Sequence, residues 1–283
     1  MKPTRILRAL VCLIALAHAA LAAGDITALT NIAYKSGDNL SDYERERCKL
    51  DLYLPTNTAF STFVWFHGGG LTGGSNEDIS TTGIARSFAQ QEDIAVVAPN
   101  YRLSPKVNFP AYVEDAAAAV AWTFAHIAEH GGDTNKIFIG GISAGGYLTS
   151  ILGMNPAHLK KAGVDRDAIA GLIPVSGQMV THFTIRKERG LATNNVTADE
   201  AAPIFYLNAS VPPMLVIMGD HDWPGRLEEN EYFVAMEKVT GNKRISLLKV
   251  ADRTHGTIAG KIPESHDPSR DAILKFVRDG ILP

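Results

Sequence analysis

Cysteine is scarce in this sequence of 283 residues, which contains only Cys12 and Cys48. Two cysteines exclude the disulfide-dense scaffolds that stabilise many small secreted domains. The sequence also lacks a large excess of positive or negative charge, since it contains 27 Lys and Arg and 30 Asp and Glu. A chain without a basic excess is not expected to bind nucleic acid. The nine histidines are scattered and show no Cys/His ligand spacing, so we expect neither a metal site nor a cofactor.

The sequence also lacks an apolar run that spans a bilayer comfortably, and its N-terminal run covers only residues 9–17. Basic residues precede this run and small residues follow it, which is typical of a secretory signal. We predict a signal peptide over residues 1–22, cut after Ala22 or Ala23, and an exported protein without stable membrane insertion. An uncleaved anchor is the alternative. Export would leave Cys48 as the only cysteine, so stability must come from the core.

Apolar runs alternate with helical patterns along the rest of the chain. Continuous apolar runs predict strands buried on both faces. The alternation implies an α/β fold with a mostly parallel central sheet and helices on both faces, in a single domain over residues 23–283. Residues 180–203 are polar and aperiodic, which predicts either a small lid-like insertion or a plain loop. Predicted strands cover 49–54, 62–66, 94–98, 136–139, 169–175, 214–218 and 245–250, and predicted helices cover 84–91, 112–130, 228–240 and 271–277, with a further helix after Ser143 ending near Gly153.

A serine between glycines follows the strand 136–139. In Gly141-Ile142-Ser143-Ala144-Gly145 the strand passes into a helix through a turn so sharp that Ser143 must adopt a strained backbone conformation. A Cβ at either glycine would collide with the neighbouring strand or helix. The turn presents the Ser143 hydroxyl at a helix N-terminus, whose amides face a developing negative charge. We predict that Ser143 is a nucleophile, with an ordinary helix N-cap as the alternative.

An acid and a histidine follow later strands, and a serine nucleophile needs both: a base to take its proton and an acid to orient that base. Asp222 lies beyond the strand 214–218, and His255 lies beyond the strand 245–250. Because the carboxyl ends of parallel strands meet at one edge of a sheet, these side chains are expected to converge. We predict that His255 takes the Ser143 proton and that Asp222 orients His255.

Other polar residues near these strand ends compete for the same roles. Asp220 is the rival acid, although an aspartate just after a strand more often caps a turn. His266 is the rival base, and His221 is expected to be a solvated loop residue. The charged run 186–189 is expected to form a solvated face, with a carboxylate-bearing substrate as its alternative use.

A triple glycine follows the strand 62–66 in His67-Gly68-Gly69-Gly70. Successive glycines let the backbone approach a ligand and turn its amides inward, which is the property of an oxyanion hole. The amide of Ala144, next to the nucleophile, is expected to be a second donor. A phosphate cradle is the alternative, but the Gly-x-Gly-x-x-Gly spacing before a helix is absent. We expect His67 to hold the loop by hydrogen bonds.

Several of these motifs, in this order, resemble those of the hormone-sensitive-lipase-like and related carboxylesterases of the α/β-hydrolase superfamily. The segment after Arg45 is similar to bacterial exported esterases of that group, including feruloyl and acetyl-xylan types. The resemblance implies an α/β-hydrolase fold, a triad of Ser143, Asp222 and His255, and oxyanion donors at Gly69, Gly70 and Ala144. The motifs are His67–Gly70, Asn100–Pro105, Phe109–Ala111, Glu114–Ala116, Gly141–Gly146 and Arg45–Pro55.

The expected activity is hydrolysis of carboxylic esters through an acyl-enzyme intermediate. The substrate is expected to be a small-molecule or carbohydrate-linked ester. Two alternatives stay open: an amidase, arylformamidase or small peptidase with the same triad, and a binding protein that keeps the fold without catalysis. Trp223-Pro224 replaces the frequent Val-Pro of the family, which keeps Asp220 in competition with Asp222.

Overall fold

The computed structural model describes residues 26–283, so the predicted signal peptide over residues 1–22 lies outside the described part of the chain. Eight strands of the described residues form one sheet. The strands are β1 (Thr27–Ala33), β2 (Lys49–Leu54), β3 (Phe60–Phe66), β4 (Ile94–Pro99), β5 (Gly132–Ile142), β6 (Gly171–Val175), β7 (Met214–His221) and β8 (Ile245–Thr254). Their spatial order is β1-β2-β4-β3-β5-β6-β7-β8.

The strands from β4 to β8 in this spatial order pair parallel, and β2 pairs antiparallel with both of its neighbours, β1 and β4. This arrangement confirms the predicted α/β fold with a mostly parallel sheet. Because β5 lies beside β6, and β7 beside β8, the segments that follow these strands meet at one edge of the sheet.

Helices cover both faces of the sheet. Their bounds are α1 (Asp42–Arg47), α2 (Ile79–Gln91), α3 (Ala111–His126), α4 (Ala144–Met154), α5 (Pro156–Lys161), α6 (Phe183–Glu188), α7 (Arg226–Val239), α8 (Thr257–Gly260) and α9 (Pro268–Asp279). Within residues 26–283, none of the helices combines the length and the apolar character needed to cross a bilayer.

The strand β3 shows how each face acquires its own core. Val64 and Phe66 belong to a buried cluster with residues of α3 and α4. Phe63 and Trp65 belong to a second cluster with residues of α2 and α9. Successive side chains of a strand point to opposite faces, so a continuous apolar run fills both cores.

The described structure differs from the sequence-based expectations mainly at the sheet edge. The strand β1 was not predicted, because its side chains are almost all exposed and its sequence lacks an apolar pattern. It is held by backbone pairing with β2, and such pairing leaves no hydrophobic signal. The predicted helix 112–130 ends as an α-helix at His126 and continues as a 3₁₀ turn to His130.

The polar segment 180–203 contains the short helix α6 and packs against the rest of the protein. His182 and Ile185 are buried, and Arg186 is only 4% exposed. The expectation of a solvated face is therefore wrong for Arg186, while Lys187 and Arg189 on the same run are exposed. The lid-like role of this segment stays a prediction.

Candidate active site

Ser143 lies at the junction of β5 and α4 in a backbone conformation that few residues adopt. Its φ is 57° and its ψ is −111°. Its amide donates a hydrogen bond to the carbonyl oxygen of Val175 at 2.8 Å, so the neighbouring strand β6 fixes the turn. A strained conformation held by its surroundings is characteristic of functional sites. The strand–turn–helix context predicted for Ser143 is confirmed.

The two flanking glycines are required by close backbone contacts. A Cβ on Gly145 would lie 2.0 Å from the carbonyl oxygen of Phe66. A Cβ on Gly141 would lie 2.6 Å from the same oxygen. Neither distance is compatible with a side chain, so the helix α4 can approach β3 only with glycine at both positions.

Ser143, His255 and Asp222 are joined by hydrogen bonds, as the sequence predicts. Nε2 of His255 lies 2.9 Å from Oγ of Ser143, and Nδ1 of His255 lies 2.8 Å from Oδ1 of Asp222. The Asp222 side chain is fully buried and that of His255 is 11% exposed. The three segments come from the ends of β5, β7 and β8, which the parallel sheet brings to one edge.

The competing residues lie outside this chain of hydrogen bonds. Oδ1 of Asp220 accepts from the amide of Arg253 at 3.2 Å, which is the turn-capping role expected of it. His221 is exposed and lies 3.7 Å from Asp220. His266 is exposed too. Asp222 is therefore the carboxylate that faces His255.

Ser176 is a contributor to the site that sequence reasoning missed. Its hydroxyl donates to Oδ2 of Asp222 at 2.5 Å, and the amide of Trp223 donates to Oδ1 at 2.6 Å. Burial opposes ionisation of Asp222, but the hydrogen bonds from His255 and Ser176 outweigh it and lower the pKa of this carboxyl. Its position in the sequence could have indicated this role, because Ser176 directly follows the strand β6, and β6 lies between β5 and β7 in the sheet.

Trp223 covers one face of the histidine. Its ring stacks on His255 with 3.7 Å between the ring centroids and 18° between the planes. Trp223 itself is 49% exposed. An aromatic ring in this position limits the rotation of His255 and forms a wall of the cleft.

The triple glycine lies against the same cleft. Gly69 and Gly70 have φ values of 102° and 63°, which favour glycine strongly. A Cβ on Gly69 would lie 2.2 Å from the carbonyl oxygen of Gly73, so the loop cannot accept a side chain there. Within residues 26–283, neither amide has a hydrogen-bond acceptor. Ala144 begins α4, where the first amides lack an acceptor inside the helix.

His67 supports the glycine loop from inside the protein. Its Nδ1 lies 2.7 Å from the carbonyl oxygen of Gly68, and its ring stacks on Tyr101 with 4.3 Å between centroids. The hydroxyl of Tyr101 donates to the carbonyl oxygen of His67 at 2.9 Å. Burial lowers the pKa of His67 to about 3, so its ring is neutral. This geometry confirms the expected hydrogen-bonding role.

A cleft of about 310 Å³ opens above Ser143. It is lined by the glycine loop, Trp223, His255, Asp78 and Ala259, among others. Of the groups of His, Cys, Asp and Glu in residues 26–283, none is arranged to hold a metal ion. His126 and His130 are four positions apart at the end of α3, but His126 faces Glu129 in an exposed pair.

The chain is similar to known proteins in sequence and in fold. The sequence profile of the α/β hydrolase fold matches residues 63–259. This chain belongs to the α/β-hydrolase fold family. The match includes the glycine loop, Ser143, Asp222 and His255.

Similar sequences carry esterase names. Esterase LipC of Mycobacterium tuberculosis is 25% identical over 221 residues, which are 72% of this chain and 54% of that protein. Carboxylesterase NlhH of the same species is 36% identical over 89 residues, covering 31% of this chain and 27% of that protein. Arylacetamide deacetylase of Bos taurus is 36% identical over 104 residues, covering 35% and 26%. The matched region spans about half or less of the length of these relatives.

Two solved structures share the fold. A carbohydrate esterase from gut microbiota superposes with a TM-score of 0.72 at 19% identity, covering 89% of this chain and 95% of that chain. An esterase of Thermogutta terrifontis superposes with a TM-score of 0.63 at 25% identity, covering 81% and 83%. The α/β-hydrolase architecture therefore extends over most of the described residues.

Proposed function

We propose that this protein is a serine carboxylesterase that cleaves ester substrates through an acyl-enzyme intermediate. The observation that carries the proposal is the continuous chain of hydrogen bonds from Ser143 through His255 to Asp222, at the floor of a cleft lined by the glycine loop. The esterase names of the similar sequences support the same reaction class.

The proposed mechanism begins with proton transfer from Ser143 to Nε2 of His255 as Oγ attacks the acyl carbon. Asp222 keeps the Nδ1 proton of His255 in place and stabilises the imidazolium that forms. His255 then gives the proton to the leaving alkoxide. Water attacks the acyl-enzyme in a second cycle that uses the same base.

The developing oxyanion would be bound by the amides of Gly69, Gly70 and Ala144. These amides have no competing acceptor of their own in the described turn and helix start, so they are free to donate to a substrate oxygen. Such preorganised donors typically contribute on the order of a hundred- to a thousandfold in rate each.

Esters are proposed in preference to amides because the similar sequences are mostly named esterases. Arylacetamide deacetylase among the relatives keeps an amide substrate as the second candidate. Within esters, a carbohydrate-linked ester is the narrower proposal, supported by the resemblance of the segment 45–55 to exported esterases of that kind.

Substitution of the nucleophile tests the proposal. The Ser143→Ala variant should hydrolyse para-nitrophenyl acetate and butyrate at least a thousandfold more slowly than the wild type, since triad serines are worth up to about a millionfold in kcat. Wild-type rates in this variant would refute the mechanism. A matched ester and anilide with the same acyl group then compare the two substrate classes, and faster anilide cleavage would favour the amidase alternative.

Export is a separate proposal. It rests on the sequence of residues 1–22, which lies outside the described structure. We expect the protein recovered from the periplasm or the medium to begin at Ala23 or Gly24. N-terminal sequencing that finds Met1 in the exported or membrane-bound protein would contradict cleavage.

A further inference from the structure

Arg186 is a buried cation that forms no ion pair or hydrogen bond through its side chain with the described residues. It lies on α6 and is 4% exposed. Its Nε and Nη1 are buried, and neither has a hydrogen-bond acceptor within residues 26–283. A buried charge without a partner is costly, so native proteins almost always pair such a group or use it.

Arg186 lines a cavity of about 460 Å³ beside the Ser143 cleft. We call it the Arg186 cavity; its wall combines apolar side chains with polar ones. Trp223 lines both this cavity and the Ser143 cleft, so the two spaces share a wall. The lining residues used below are Arg186, Trp223, Arg226, Glu229 and Phe183.

The charges of the cavity wall sum to a positive value. Arg186 and Arg226 are cations, and Glu229 is the carboxylate among the lining residues. Oε1 of Glu229 accepts from the amides of Met179 and Val180, the latter at 2.8 Å. Burial lowers the pKa values of both arginines more strongly than Glu229 raises them. These three side chains carry two positive charges and one negative charge.

The helix that carries Arg186 is attached to the glycine loop. The hydroxyl of Thr184 donates to the carbonyl oxygen of Gly70 at 2.5 Å. The ring of Phe183 lies 3.1 Å from where a Cβ on Gly70 would be, and Phe183 also lines the Arg186 cavity. The helix α6 thus contributes to the wall of the Arg186 cavity and also contacts the glycine loop of the Ser143 cleft.

We propose that the Arg186 cavity is a subsite for a carboxylate group of the ester substrate, with Arg186 as its charged partner. The proposal rests on the proposed esterase function and narrows its substrate class to esters that carry a second, ionised acid group. A carboxylate accepts charge-assisted hydrogen bonds from a guanidinium, and Nη2 is the nitrogen of Arg186 that is not sealed within the protein. A neutral group in the same place would leave the charge of Arg186 uncompensated, and this difference creates the selectivity.

The test compares esters that carry a carboxylate with matched esters, called their neutral twins, in which a carboxamide replaces the carboxylate. One pair carries the group on the acyl part: monobenzyl glutarate and the corresponding glutaramate ester. The other carries it on the alcohol part: para-(acetoxymethyl)benzoate and its benzamide. In the wild type, at least one acid should exceed its twin in kcat/KM by about tenfold or more, the usual size of a charge-assisted hydrogen bond.

Substitution of Arg186 should remove that preference. In Arg186→Gln the acid-to-amide ratio of kcat/KM should fall to near one, and in Arg186→Lys it should be partly retained because the charge remains. The matched control is Lys187→Gln, which removes the same charge from an exposed position of α6 and should leave the ratio unchanged. Thermal unfolding and the rate on the neutral twins report whether each variant has folded.

Two outcomes would overturn the subsite. Either the wild type shows no preference for an acid in both pairs, or the preference survives in Arg186→Gln. Both are distinguishable from failure of the proposed function, because in that case para-nitrophenyl acetate, the acids and their neutral twins would all remain unhydrolysed.

Discussion

The Ser143 cleft and the Arg186 cavity share Trp223, but they differ in whether their buried polar groups are hydrogen-bonded to the protein. In the cleft, Ser143, His255 and Asp222 are linked by bonds of 2.8 to 2.9 Å. In the cavity, Nε and Nη1 of Arg186 have no acceptor within the described residues. Groups that must be oriented before the reaction are held by the protein itself. A charged group that recognises a ligand remains without a protein partner in the free protein, at a cost in stability.

The largest expected difference in kcat is between the substitutions of two neighbouring aspartates, Asp222 and Asp220. Asp222→Asn should lower kcat by about ten-thousandfold, because an asparagine stabilises the wrong tautomer of His255 and no longer balances its charge. Asp220→Asn is the matched control, since Asp220 bonds the Arg253 amide and not the histidine. Steady-state kinetics on para-nitrophenyl acetate measure both. Equal losses, or a larger loss in the control, would make Asp220 the acid.

Removal of the Ser176 hydroxyl should have an intermediate effect. Ser176→Ala deletes the 2.5 Å hydrogen bond to Oδ2 of Asp222, and a bond to a charged group is worth about 1.5–3 kcal/mol. We expect kcat to fall about tenfold with little change in KM. The control is Ser269→Ala, because the Ser269 hydroxyl is buried without a partner in the described residues. An unchanged kcat in Ser176→Ala would remove this residue from the triad's support.

Detachment of α6 from the glycine loop should cost less. Thr184→Val keeps the shape of the side chain and removes its hydrogen bond to the carbonyl oxygen of Gly70. The oxyanion donors become less well oriented, so we expect a several-fold drop in kcat. Thr197→Val in the same segment removes a hydroxyl that has no partner within residues 26–283. If both variants lose activity equally, the loop does not depend on Thr184.

The smallest effect concerns stability and pH. The folded-state pKa of Asp222 is lowered, so its stabilising contribution is full above the unfolded value of about 3.9 and is lost as pH falls through the folded value. The difference in unfolding free energy between wild type and Asp222→Asn should therefore shrink as pH falls from about 5 to below about 4. Denaturant unfolding at several pH values measures it. A difference that grows on acidification would mean that the folded pKa is raised.

The sequence predicts what depends on local pattern. Apolar runs such as 62–66 and 94–98 mark strands because burial on both faces demands it, and glycines around Ser143 mark a turn with no room for a Cβ. The convergence of Ser143, Asp222 and His255 follows from the geometry of a parallel sheet, whose strand ends meet at one edge.

Other features depend on contacts between distant segments and leave no such pattern. The exposed edge strand β1 is held mainly by backbone pairing with β2. Ser176 becomes a partner of Asp222 only because β6 lies between β5 and β7. The run of charged residues predicts that Arg186 is exposed, yet the packing of α6 buries it. Tertiary position decides each of these roles.

Covalent labelling tests the central assignment most directly. The full-length protein is treated with a fluorophosphonate, and the modified peptide is identified by tandem mass spectrometry. We predict one adduct, on Ser143, formed together with the loss of esterase activity, and none in Ser143→Ala. An adduct on a different residue, or full activity after stoichiometric labelling of Ser143, would contradict its role as the nucleophile.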